Sequence, residues 1–499
     1  MTSAQTIGTA ARNPLRWKAL AVLALVQFML ILDITVVNVA LPSIRRDLGF
    51  SQSGLAWVVN GYTLMAGGLL LLGGRLSDVL GRRRLFLAGV AVFALASLSC
   101  GLAVNPVMLV TSRFLQGAGE AMAAPAALGL VALLFPNPKE RMKALGIWGG
   151  IAGLGGTSGT VISGALTGLA SWRWIFLVNL PVAAFALVVV PRLVQESRMD
   201  RSVSAVRKRV DVWGPITATA GLIAVVDGLL QAATDSWVSV GVLLPVLAGV
   251  CLLVLFVLIE ARAESPLIPL RFFKNRTRVV TNFVTLFFSS AFFTYFFLLT
   301  LFLQQVLHFK PLDAGLAYLP FGLGITVGIG VGTGLMPKVG AKPLLVVGFI
   351  GSALGMLLTS GIAPSSGYAD GVLPGMLVLA FASGISFGAV GNAALHQVTA
   401  QDASLASGVQ NAVQQVGGAI GLACLVTLAL RHAADQAQQG VGGALASTEG
   451  YALAFRVGAV LLAVGGILAA LLLERINATT SPVMAELPPA GEAVPAAVA

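Results

Sequence analysis

Apolar residues in this chain gather into long, nearly unbroken runs, with polar and charged residues confined to short stretches between them. A helix rises about 1.5 Å per residue, so about 20 apolar residues cross the hydrocarbon core of a bilayer. Runs of that size fall at 17–40, 55–73, 85–104, 107–134, 144–168, 174–194, 213–232, 237–260, 279–305, 314–335, 343–361, 371–395, 404–430 and 452–473. The pattern predicts an all-α membrane protein with 14 transmembrane helices.

Composition supports the bilayer as solvent. Of 499 residues, 57% are hydrophobic and 10% charged, against about 25% charged in a soluble domain. The net charge of +11 could suggest nucleic-acid binding, but the cations sit in short loops between apolar runs, where membrane topology accounts for them. With the N-terminus in the cytoplasm and the runs alternating across the membrane, 24 of the 31 Lys and Arg fall on the cytoplasmic side, six outside, and Arg113 within the membrane. That bias predicts a multi-pass protein of the cell membrane with both termini cytoplasmic. The N-terminal run carries Asp33, exceeds the length of a signal-peptide core and has no small-residue cleavage site after it, so it reads as a retained first helix. Cys100, Cys251 and Cys424 lie in separate apolar runs without Cys-x-x-Cys spacing, which predicts neither a disulfide nor a metal site.

The segment Gly74-Arg75-Leu76-Ser77-Asp78-Val79-Leu80-Gly81-Arg82-Arg83-Arg84 follows the second run, and Thr333-Gly334-Leu335-Met336-Pro337-Lys338-Val339-Gly340-Ala341-Lys342-Pro343 follows the tenth. The Leu-x4-Gly spacing and a following cation recur, and the aspartate does not. A faint repeat of this kind is how many transporters are built, as two halves with a site between them.

Four motifs stand in order: Leu32-Asp33-Ile34-Thr35-Val36-Val37-Asn38-Val39-Ala40-Leu41-Pro42, the Gly74–Arg84 segment, Arg113-Phe114-Leu115-Gln116-Gly117-Ala118-Gly119, and Ser171-Trp172-Arg173-Trp174-Ile175-Phe176-Leu177-Val178-Asn179-Leu180-Pro181. Together they resemble the fourteen-helix drug:proton antiporters of the major facilitator superfamily. The resemblance implies two six-helix bundles plus two extra linker helices. The segments would be a cytoplasmic N-terminus (1–16), an N-terminal bundle (17–195), a basic loop with two linker helices (196–278), a C-terminal bundle (279–474) and a disordered cytoplasmic tail (475–499). It further implies that Gly74, Asp78, Gly81, Arg82 and Arg83 form a cytoplasmic gate, with Asp78 at the start of helix thirteen near Ser404, and that the matching arginine, Arg113, takes part in proton coupling. One departure is visible: the helix-five packing motif keeps Gly155, Gly159 and Gly164 but has Thr160 where the family usually has proline.

The residues themselves point to the same chemistry. A charge at the centre of a membrane helix costs ~2.5–3.5 kcal/mol on insertion scales, so it normally faces a partner or a cavity. Asp33 is such a charge, and a carboxyl group able to exchange a proton within the membrane is what a proton carrier requires. Arg113, Gln116 and Glu120 share one stripe of a helix at i, i+3 and i+7. Arg113 and Glu120 are then about 10 Å apart along the axis, which leaves Asp33 as the candidate partner of Arg113. Glu120 is a candidate second protonation site or an anchor for a cationic substrate, and Asp227 is a further intramembrane acid, in a linker helix. Asn38, Asn60, Gln410, Asn411 and Gln414 are candidate polar residues of a pocket. Phe283, Phe287, Phe288, Phe292, Phe293, Phe296 and Phe297 decorate every face of helix nine, mostly as packing or lipid-facing side chains.

Proton-driven efflux of small hydrophobic or cationic compounds is the function these features favour, with the proton as coupling ion, no other cofactor, and the substrate and the bilayer as the partners. No obligate protein partner and no nucleic acid is expected. No GxxxxGK[ST] loop is present to take ATP, and His308, His396 and His432 form no catalytic or metal-binding pattern, so a membrane enzyme is disfavoured. A dedicated exporter of one compound, a proton symporter and a transport-inactive sensor share the same fold class.

Overall fold

The three-dimensional structure is a computed structural model that describes residues 15–196, 211–263, 266–268, 272, 274–394, 396 and 403–474. The N-terminal segment, most of the basic loop and the C-terminal tail named above thus fall largely or wholly outside the described residues.

Among the described residues, fourteen long helices account for the architecture. They are α1 (Arg16–Leu48), α2 (Ala56–Leu80), α3 (Arg82–Gly101), α4 (Pro106–Leu134), α5 (Pro138–Leu169), α6 (Trp174–Leu193), α7 (Trp213–Gln231), α8 (Val240–Arg262), α9 (Arg276–Val306), α10 (Pro311–Val339), α11 (Ala341–Thr359), α12 (Tyr368–Ala394), α13 (Ala403–Gln438) and α14 (Gly443–Leu472). Among the described residues, 13 of them are long and apolar enough to cross a membrane. The other, α5, spans 32 residues, opens with a charged turn and continues as a glycine-rich apolar helix against α1.

Local chemistry sets several boundaries. The Asn105 side chain accepts the Met108 N–H at 2.8 Å and Pro106 occupies the first turn, which starts α4. Asn275 caps α9 in the same way through the Arg278 N–H at 3.0 Å. The two Leu-x4-Gly segments prove structurally equivalent: Gly81 (φ 101°) joins α2 to α3, and Gly340 (φ 79°) joins α10 to α11. A left-handed backbone is open to glycine without steric cost. The largest difference from the hydropathy reading is at α13 and α14, which extend to Gln438 and begin at Gly443, leaving a short connection. An apolar window marks only the membrane-embedded part of a helix, whereas the hydrogen-bond ladder continues through Asp435, Gln436 and Gln438 into water.

The helices α1–α6 pack on one another, as do α9–α14. The α7–α8 hairpin lies against both groups, through α2 on one side and α13 on the other. Only 11% of the apolar window of α8 is buried, against 72% for α2, so α8 is peripheral and presents its apolar side chains outward. Arg82–Arg84 mark one end of the assembly, here called the basic face; α1 and α5 start at that face, tied by the Arg16–Glu140 ion pair at 2.9 Å.

Close approach of the two bundles occurs where glycine removes a side chain. A Cβ on Gly164 of α5 would lie 2.6 Å from the Pro311 carbonyl and 3.1 Å from Gly315 Cα, so α5 and α10 touch backbone to backbone at the far face. Gly146 lies on the same side of α5, five turns nearer the basic face, yet a Cβ there would meet nothing within 4 Å; the same holds for Gly330 and Gly334 of α10. The seam between α5 and α10 is therefore closed at the far face and open toward the basic face.

Candidate functional site

The polar residues of the N-terminal bundle converge on Asp33. Its carboxylate is fully buried and accepts from three side chains on two other helices. Arg113 Nη1 donates to Oδ2, Gln116 Nε2 donates to Oδ1 at 3.1 Å, and Asn179 Nδ2 donates to Oδ1 at 2.8 Å. Arg113 is equally committed: its Nε donates to the Val58 carbonyl at 2.8 Å and its Nη1 also to Gln116 Oε1 at 2.8 Å. Tyr62 stacks on the guanidinium, 4.3 Å from ring centroid to Cζ. Ser97 and Cys100 complete the shell through Gln116, at 2.7 and 3.3 Å. Helices α1, α2, α3, α4 and α6 each contribute.

Ordinary physical chemistry explains the assembly. A buried ion pair is tolerated only where further hydrogen bonds satisfy the remaining lone pairs and protons. Here two neutral amides, those of Gln116 and Asn179, both donate to Oδ1, while the guanidinium holds Oδ2. The stripe read from the sequence places Arg113 against Asp33, its candidate partner, and brings Gln116 to the same carboxylate, a contact the sequence did not indicate. Asn179, Ser97 and Tyr62 were not singled out, although Asn179 stands in the fourth motif as the polar residue of an apolar run.

Glu120 lies two turns along α4 from Arg113, 7% exposed, beside the Tyr62 hydroxyl, which also donates to the Leu30 carbonyl at 3.4 Å. Its Oε2 is buried with no hydrogen-bond partner among the described residues. Asp227 is not part of this assembly. It stays on α7 and accepts from Gln231, one turn along the same helix.

The polar residues considered for a pocket separate by face. On α1, Ile31 and Thr35 meet α5 while Leu30 meets Tyr62 of α2; Asn38, between these directions on the helical wheel, faces the gap between α2 and α5. On α13, Gln410 donates to Thr285 of α9 at 2.9 Å, and Gln415 lies against Gly67 of α2. Asn411 (exposed) and Gln414 (half-buried) lie between those directions and face the space between α2 and α9. Asn60 is fully buried, with neither amide atom hydrogen-bonded among the described residues.

At the basic face, Asp78 accepts from Arg82 Nε and Nη2 at 3.2 and 3.0 Å, and Arg82 also holds the Gly129 carbonyl of α4 at 3.0 Å. The expected counterpart of Asp78, the start of α13, adjoins residues 397–402, outside the described set. Glu196, which sequence reading did not reach, accepts the Arg83 and Arg84 backbone N–H groups at 3.2 and 3.1 Å. A carboxylate there satisfies orphan donors at the start of α3 and complements its dipole. A Cβ on Gly81 would lie 2.6 Å from Glu196 Oε1, so this glycine is required twice over. Gly74 has no such crowding, its nearest neighbour being Pro125 at 3.8 Å. In the helix-five motif, a Cβ would lie 3.1 Å from Ile31 at Gly155 and would overlap the Thr35 hydroxyl at Gly159, which sets how close α5 lies to α1. No group of three or more metal-binding side chains occurs among the described residues.

Comparison with known proteins bears on the family and the helical fold. The chain is 38% identical to the puromycin resistance protein of Streptomyces alboniger over 463 residues, covering 90% of each chain. It is 40% identical to the lincomycin resistance protein of Streptomyces lincolnensis, over 84% of this chain and 85% of that one. Among solved structures, a bacterial homologue of the human lysosomal transporter Spinster, in an inward-facing and unoccupied conformation, superposes with a TM-score of 0.65 at 16% identity, covering 92% of this chain and 97% of the other. The family model of the Major Facilitator Superfamily matches residues 23–422. With that match across most of its length and the helical architecture above, this chain belongs to the major facilitator superfamily, a family of membrane transporters.

Proposed function

We propose that this protein exports small amphipathic compounds from the cytoplasm in exchange for protons, by alternating access, with both termini on the cytoplasmic side. The observation that carries the proposal is the Asp33–Arg113 pair with its amide shell, a carboxyl buried within the membrane-spanning helices that ties α1 to α4 and α6. Protonating Asp33 removes the charge that holds Arg113, so the contacts of α1 with α4 and α6 change with each proton. A proton moving down the membrane potential supplies ~2.3 kcal/mol per 100 mV, enough to bias the two bundles between conformations. The seam between α5 and α10, closed at the far face and open at the basic face, fits a state open to the cytoplasm.

Efflux rather than uptake is supported by the relatives, both named for antibiotic resistance. Each of those names carries one antibiotic, which gives equal support to a second reading, a dedicated exporter of one compound. Cells producing the chain should accumulate less ethidium than controls and tolerate more puromycin or lincomycin. A protonophore should abolish both effects. Efflux undiminished by the protonophore, and by Asp33→Asn, rules out the proton mechanism; a response to a single compound in a broad panel selects the dedicated exporter.

A further inference from the structure

Among the described residues the Asp33 cluster leaves no acceptor over, but one to two turns toward the basic face the balance reverses. Glu120 Oε2 and Gln27 Oε1 are both buried and neither receives a hydrogen bond among the described residues; Gln415 Oε1, on α13, is a third. The Asp33–Arg113 pair sets the register of α1 against α4. Gln27 is six residues from Asp33 and Glu120 seven from Arg113, in the same direction, so both lie about 9–10 Å below the pair. Gln415 reaches a similar depth, because it packs on Gly67 of α2, whose neighbour Ala66 abuts Gly117 of α4. On the helical wheel Gln27 shares with Asn38 the side of α1 that faces between α2 and α5.

Each of these three oxygens is a buried acceptor that receives no hydrogen bond among the described residues, the Tyr62 hydroxyl serving only the other part of the Glu120 carboxyl. The nearest cation, Arg113, is occupied by Asp33, Gln116 and Val58. A buried acceptor left unpaired costs about 1–3 kcal/mol, more when charged, so such a set favours a ligand that brings N–H donors and positive charge. We infer that Glu120, assisted by Gln27 and Gln415, binds the protonated amine of the cargo, as a site separate from the proton-carrying pair at Asp33. This inference rests on the export reading above and adds the cargo class, compounds carrying an alkylammonium group.

The test uses a matched fluorescent pair, dansylcadaverine, with a primary ammonium, and its N-acetyl derivative, which keeps the size and loses the charge. Binding to the purified full chain is followed by dansyl fluorescence. The wild type should prefer the ammonium by about tenfold or more, the worth of one charged hydrogen bond. Glu120→Gln should erase that preference while binding of the acetylated probe stays unchanged, which also reports an intact fold. Gln27→Leu should reduce the preference, and Glu120→Asp should retain part of it. An undiminished preference in Glu120→Gln, no preference in the wild type, or a preference lost in Asp33→Asn but kept in Glu120→Gln overturns the assignment. The proton mechanism is judged separately, by the protonophore sensitivity of efflux, so the two can fail independently.

Discussion

Adding one methyl group at Gly164 should hold the two bundles apart at the far face. A Cβ at this position lies 2.6 Å from the Pro311 carbonyl and 3.1 Å from the Cα atoms of Leu312 and Gly315. All are backbone atoms, so no side chain can swing aside. Ordinary van der Waals contact begins near 3.4 Å, and α10 must retreat by about 0.8 Å to reach it. Overpacking of this kind costs about 1–3 kcal/mol. Only the conformation closed at the far face bears that cost, which corresponds to about a 5- to 150-fold shift of the equilibrium. The higher helix propensity of alanine acts equally in both conformations and cancels. Spin labels at Leu169 and Lys310, both exposed at the far ends of α5 and α10, would report the change in a variant with Cys100, Cys251 and Cys424 replaced by serine. Gly164→Ala should add a longer-distance population. Gly146→Ala, on the same side of α5 but with nothing within 4 Å, should leave the distribution as in the parent. If Gly164→Ala matches the parent, or if Gly146→Ala shifts it as much, the backbone contact does not govern closure.

Other outcomes follow from single contacts. Gly81→Ala places a side chain at φ 101° and against Glu196; a loss of about 1–3 kcal/mol in detergent unfolding is expected, and Glu196→Ala should relieve the steric part. Wild-type stability in Gly81→Ala would refute the role given to that turn. Asn179→Leu removes a donor from Asp33 Oδ1 and should destabilise the purified protein by about 1–3 kcal/mol, read from its unfolding midpoint. Asp227→Asn keeps an acceptor for Gln231 on the same helix and should leave both stability and efflux within error of the wild type; loss of efflux would return Asp227 to the site.

The sequence carried the spans because a membrane helix writes itself as a run of apolar residues, and α1 through α14 appear where those runs are. It also carried the Asp33–Arg113 pair: a charge in hydrocarbon is expensive enough that two of them on neighbouring helices imply each other. Asn179 and Ser97 were illegible for the opposite reason. Neutral polar residues occur in membrane helices for packing alone, and only the folded bundle reveals that they converge on one carboxylate. Glu196 was hidden because its role depends on α6 returning beside the start of α3. Asp227 misled, since an acid satisfied by its own helix looks in sequence like one awaiting a partner. The far ends of α13 and α14 were missed because polar helical turns in water leave no hydropathy signature.

Proton movement by the Asp33→Asn variant is the most direct measurement. Wild-type protein in vesicles loaded with pyranine should change the internal pH when puromycin or dansylcadaverine is added against no pre-existing gradient, and reversing the cargo gradient should reverse the sign. Asp33→Asn should give no cargo-dependent pH change. Proton movement equal to that of the wild type in this variant would contradict the proposed coupling.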